Sequence, residues 1–114
     1  MNASPCFTTS TKFGGADSLR LELTPACFHL LFYHHLDEAK FESDKGGDRL
    51  TLSFLNRTVR LTGKNLRGLA MEIQRRNVES VKPMPDRYGS LADSDDVWIK
   101  AIEMEHEPKE NPHA

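Results

Sequence analysis

The apolar period changes twice between Thr58 and Lys82, and this change narrows the fold more than any other stretch. Thr58-Val-Arg-Leu-Thr62 alternates, placing Val59 and Leu61 on one face of a strand. Leu66, Leu69, Ala70 and Ile73 then recur at i, i+3, i+4 and i+7, the stripe of an amphipathic helix over about 64–76. Gly68 is a modest internal cost to that helix. Arg75 and Arg76 suit the negative end of its dipole, Asn77 suits a left-handed stop, and Val78–Val81 reads as a short strand ended by Pro83 and Pro85.

Strand patterning dominates elsewhere. Ser18–Leu23 alternates, with Leu19, Leu21 and Leu23 on one face. Cys27–Leu36 is compatible with a helix gathering Phe28, Leu31, Phe32 and His35, but its aromatic content and short length favour a strand. Such a strand turns Phe28, Leu30 and Phe32 one way and His29, Leu31 and Tyr33 the other. Lys45–Asp48 is a loop. Arg49–Leu55 alternates again, and a turn at Asn56-Arg57 joins it to Thr58–Thr62 as a hairpin. In Val97–Met104, Val97, Ile99 and Ala101 fall on one face and Trp98, Ile102 and Met104 on the other. Two apolar faces predict a covered strand or one that meets a partner.

At 114 residues, dividing the chain further would leave pieces too small for their own cores. The expectation is one α+β domain over residues 17–104, with disordered tails at 1–16 and 105–114. Its order β-β-β-β-α-β-β makes a mainly antiparallel sheet with one packed helix the most economical architecture, and a small Greek-key barrel of the oligonucleotide-binding type the alternative. Pro83–Asp96 is a long loop.

The net charge of −2 conceals a strong asymmetry. Residues 57–82 carry seven Lys/Arg against two Asp/Glu, whereas residues 83–114 carry three against eight. Phosphate-backbone binding would use Arg57, Arg60, Lys64, Arg67, Arg75 and Arg76, provided they gather on one surface. On a helix Lys64, Arg67 and Arg75 are expected near one another. No aromatic residue lies between Val59 and Lys82 to stack bases, which favours a mixed solvated face.

Other chemistry is sparse. Gly63-Lys-Asn-Leu-Arg-Gly68 joins strand to helix and could hold an anion at the helix start, but it has neither the phosphate-loop nor the dinucleotide glycine spacing. A tight turn with a solvated first helical turn accounts for it. His29, His34, His35, Asp37 and Glu38 cluster in sequence, yet adjacent histidines diverge and no His-Glu-x-x-His pattern occurs, so no metal site is assigned. Cys27, Ser53 and Ser80 lack the settings of nucleophiles, and Asp93, Asp95 and Asp96 lack calcium-loop spacing.

No catalytic residue and no cofactor is therefore assigned. Two cysteines without a framework, and a first segment unlike a secretory signal, make a cytoplasmic protein the expectation. No apolar run is long enough for a helical membrane span. The function expected is a small non-enzymatic binding or assembly module that self-associates. A protein partner or a homo-oligomer is the expected company, and nucleic-acid binding through the basic segment is the alternative.

Overall fold

The computed structural model describes residues 6–11, 13–85 and 96–106. Among them are eight strands, β1 (Phe7–Thr9), β2 (Ser18–Thr24), β3 (Cys27–Phe32), β4 (Leu36–Asp44), β5 (Gly47–Phe54), β6 (Arg57–Lys64), β7 (Val78–Val81) and β8 (Trp98–His106). One α-helix, α1 (Leu66–Gln74), lies between β6 and β7, and a 3₁₀ turn at Tyr33–His35 separates β3 from β4.

The strands form two four-stranded sheets, ordered β1-β7-β2-β3 and β4-β5-β6-β8. Every pairing is antiparallel except β2 with β7. The fold is α+β as the patterning indicates, but among the described residues the sheets are open and no closed barrel forms. The helix therefore does not close a strand–helix–strand unit within one sheet. It carries the chain from β6 in the second sheet to β7 in the first.

The core lies where the faces meet. Leu19, Leu21, Val78 and Val81 come from the first sheet, Leu50, Leu52, Val59, Leu61 and Ile99 from the second, and Leu66, Leu69 and Ile73 from the helix. Cross-strand pairs Leu50–Leu61 and Leu52–Val59 follow directly from the alternation in β5 and β6.

The helix is shorter than its stripe suggests because both ends are set by local backbone geometry. Asn65 adopts a left-handed conformation (φ 60°) immediately before it. At its end Arg76, not Asn77, takes the left-handed position (φ 58°). The Arg76 N–H then donates to the Ile73 carbonyl and the Asn77 N–H to the Glu72 carbonyl. These two bonds are a Schellman stop, usually built on glycine.

Four other expectations change. The N-terminal segment assigned to a tail contributes β1, which pairs with β7, and buries Cys6 and Ala16 in the core. Cys27–Leu36 is a strand only to Phe32, because Tyr33 turns inward and its hydroxyl donates to the Val78 carbonyl at 2.7 Å. Leu36–Asp44 is an unexpected strand, an edge strand whose charged residues need no covering.

The fourth concerns β8. Thr62 faces Ala101 but Gly63 faces Ile99, so Lys100 is a bulge. The bulge returns Ile99 to the face of Ile102 and Met104, opposite Leu61 and Val59. The two-faced apolar pattern is thus the signature of a bulge. Residues 86–95 of the long loop and 107–114 of the expected C-terminal tail lie outside the described residues.

Candidate functional site

The six basic candidates are held at separate places. Arg57 and Lys64 stand at opposite ends of β6, about 23 Å apart at the usual strand rise. Arg60 lies mid-strand and pairs with Glu105 at 3.2 Å. Arg67 sits over the Phe41 ring, 5.2 Å from its centroid, and Lys64 over Trp98 at 5.8 Å. At the far end of the helix Arg75 pairs with Glu72, while Arg76 approaches Asp17 at 3.6 Å and lies over the Tyr33 ring. Lys64 and Arg75 flank the helix rather than sharing a face of it. Most of the positive charge read from the sequence is thus matched locally by carboxylates or by ring faces.

The Gly63–Gly68 turn has its anion built in. Asp48 stands opposite Gly63 in the β5–β6 ladder, and its Oδ2 accepts the Leu66 N–H at 3.0 Å. Its Oδ1 accepts the Ser43 hydroxyl at 2.7 Å. A carboxylate at the first turn takes the role an external anion would otherwise fill. Gly63 is there for space: a Cβ on it would collide with the Trp98 carbonyl oxygen across the bulge. Beside this turn, an open depression of about 900 Å³ is lined by Arg49, Lys64 and Lys100 together with Glu42, Asp44 and Asp48. Its charges are balanced, so it selects neither sign of ligand.

The histidines resolve differently. His34 and His35 share the 3₁₀ turn with ring centroids 4.3 Å apart, and both are in ring contact with Phe32. Among the described residues no three His, Cys, Asp or Glu side chains gather as a metal site would require. Tyr33, between β3 and these histidines, is a phenol whose titration is displaced. Burial pushes its phenol up to about 12, against the opposing pull of the Arg76 guanidinium.

The feature that stands out is the edge of the first sheet at β3, which is free among the described residues. Phe28, Leu30 and Phe32 keep 56%, 51% and 43% of their surface exposed, while Leu31 between them is buried. The backbone of the same three residues faces outward. Tyr33 N–H donates to the Asp17 carbonyl, continuing a register in which Leu31 faces Leu19 and His29 faces Leu21. Odd-numbered residues therefore bond to β2, and the N–H and C=O groups of Phe28, Leu30 and Phe32 point to the open side. A groove of about 240 Å³ lies between Leu30, Leu31 and Phe32 and the β5–β6 turn, where Leu55 is also exposed and Arg57 forms the rim.

The other three edges are protected in the ways edge strands usually are. β1 has three residues, β4 carries Asp37, Glu38, Lys40, Glu42 and Asp44, and β8 carries Lys100, Glu103 and Glu105. β3, Cys-Phe-His-Leu-Leu-Phe, has no Lys, Arg, Asp, Glu or Pro. Sequence reasoning assigned the two faces of this strand but did not single it out. The available signal was six residues without charge in a chain where 28% are charged.

Comparison with models of protein families, with characterised proteins and with solved structures returned no match. No helix among the described residues is long and apolar enough to cross a membrane, a statement that does not bear on β-barrels.

Proposed function

We propose that this chain is a small non-enzymatic binding or assembly module that associates with itself through the β3 side of its first sheet. The observation that carries this reading is the outward row of Phe28, Leu30 and Phe32 on an edge strand without charge. Apolar surface of this kind gains by leaving water, and an unprotected edge offers hydrogen-bonding groups to another strand. The terminal strand β8, whose apolar pattern first suggests a partner, does not support the reading, since its bulge turns Ile99, Ile102 and Met104 to one side.

Size-exclusion chromatography with light scattering over a concentration series tests the proposal. A mass that rises from one chain toward two or more supports it, and a constant mass of 12.9 kDa up to the highest concentration sinks it. Phosphate-backbone binding by Arg57, Arg60, Lys64, Arg67, Arg75 and Arg76 is the rival. It requires convergence that neither β6 nor α1 supplies, and anisotropy with labelled oligonucleotides at about 50 mM salt is its test.

A further inference from the structure

We infer that the partner of β3 is β3 of a second copy, paired antiparallel about a twofold axis through Leu30, so that two first sheets join into one of eight strands. The inference rests on the self-association proposed above and specifies how it occurs.

Three observations lead to it. The bonding groups left open on β3 belong to Phe28, Leu30 and Phe32, evenly spaced about Leu30. In the twofold register Phe28 faces Phe32 of the second copy, Leu30 faces Leu30, and Phe32 faces Phe28. All three are then hydrogen-bonded pairs, giving about six backbone bonds. Sliding by two residues in either direction brings Ala26 of the β2–β3 turn or His34 of the 3₁₀ turn into the ladder and loses pairs. The Leu30 register is thus the one that uses the whole free edge.

Side chains agree with the backbone. The register puts phenylalanine beside phenylalanine and leucine beside leucine on the solvent face, the cross-strand neighbours that stabilise sheets. It brings no pair of like charges together, because β3 carries none. On the other face His29 of each copy meets Leu31 of the other, beside the groove closed by Phe54 and Leu55.

The phenylalanines cover roughly 200 Å² per copy, against about 800 Å² per partner in a standard interface. Leu30, Leu55 and the backbone add to this, so the dimer is expected to be weak and to form in the micromolar range or above. A face-to-face stack of two first sheets would bury the same phenylalanines but would leave the edge unpaired, and distance separates the two arrangements.

The chain carries its own label site. Cys27 is exposed, whereas Cys6 is fully buried, so a nitroxide reagent attaches to Cys27 without any substitution. Cys27 lies just outside the six-bond ladder. Each copy's Cys27 is three residues from the axis, which sets the Cys27–Cys27 backbone separation near 20 Å. A two-residue slip moves it to about 14 or about 27 Å.

Electron–electron dipolar spectroscopy on the full chain reads the separation of the two nitroxides, which tracks this backbone distance once the label arms are included, and Leu30→Arg, which sets two like charges on the axis, should abolish the signal. The Leu30 side chain is half exposed, so the variant is expected to keep the fold, checked by circular dichroism. A distance near 20 Å lost in Leu30→Arg supports the pairing. An oligomer with another Cys27–Cys27 distance, or one that persists in Leu30→Arg, overturns the pairing while leaving self-association standing. A monomer at every concentration overturns both.

Discussion

Tyr33→Phe removes one oxygen from the point where the chain leaves the first sheet for the second. In the folded chain that oxygen donates to the Val78 carbonyl at 2.7 Å, and the residue is 5% exposed. Deleting the hydroxyl leaves a buried carbonyl without this partner, a loss of about 1–2 kcal/mol. For a domain of this size the melting temperature should fall by roughly 4–10 °C.

The same oxygen predicts a pH dependence of definite sign. Burial holds the Tyr33 phenol up to about 12, against about 10 in an unfolded chain. Below pH 10 both states keep the proton and the contribution to stability is whole. Between pH 10 and about 12 the unfolded chain ionises first, so stability falls as pH rises. Two units set an upper bound of about 3 kcal/mol, reduced by whatever screening water supplies at the ring edge. Thermal melts from pH 8 to 12 on the wild type and Tyr33→Phe separate this from the titration of lysines, which both proteins share. Their difference should be largest at pH 8 and shrink toward pH 12. A difference that stays constant with pH, or a Tyr33→Phe protein as stable as the wild type at pH 8, refutes the reasoning.

Other substitutions test single contacts. Gly63→Ala should cost about 2–3 kcal/mol in denaturant unfolding, because its Cβ meets the Trp98 carbonyl and must push β8 from β6. Gly15→Ala should cost about 1–3 kcal/mol, since Gly15 has φ +91° and a Cβ would stand 2.6 Å from the Arg76 carbonyl oxygen. Asp48→Ala removes the acceptor of the Leu66 N–H and should cost about 1–2 kcal/mol, with helix fraying visible in amide exchange at Leu66.

The alternating strands and the helical stripe were legible because one side chain pattern maps to one buried face. Leu50, Leu52, Val59 and Leu61, and likewise Leu66, Leu69 and Ile73, lie in the core as their spacing requires. What stayed hidden depends on partners distant in sequence. Phe7-Thr-Thr9 is too short to declare itself a strand, and it is ordered by pairing with Val78, Ser80 and Val81, far later in the chain. The Lys100 bulge reversed the apparent faces of β8 because period-2 reasoning assumes an unbroken ladder.

The charge block at 57–82 shows the limit for sites. Linear density suggested a patch, but a strand and a helix leading to different sheets carry its members apart. The β3 surface was half legible. Its faces follow from the alternation of the sequence, yet its position at an edge follows only from the strand order.

Amide hydrogen exchange at two protein concentrations reports on the open edge of β3 itself. The N–H groups of His29 and Leu31 bond to β2 in a single chain and should be slow throughout. Those of Phe28, Leu30 and Phe32 should exchange quickly at about 5 µM and slow markedly at about 500 µM. Rates at these three residues that do not change with concentration would contradict assembly through β3.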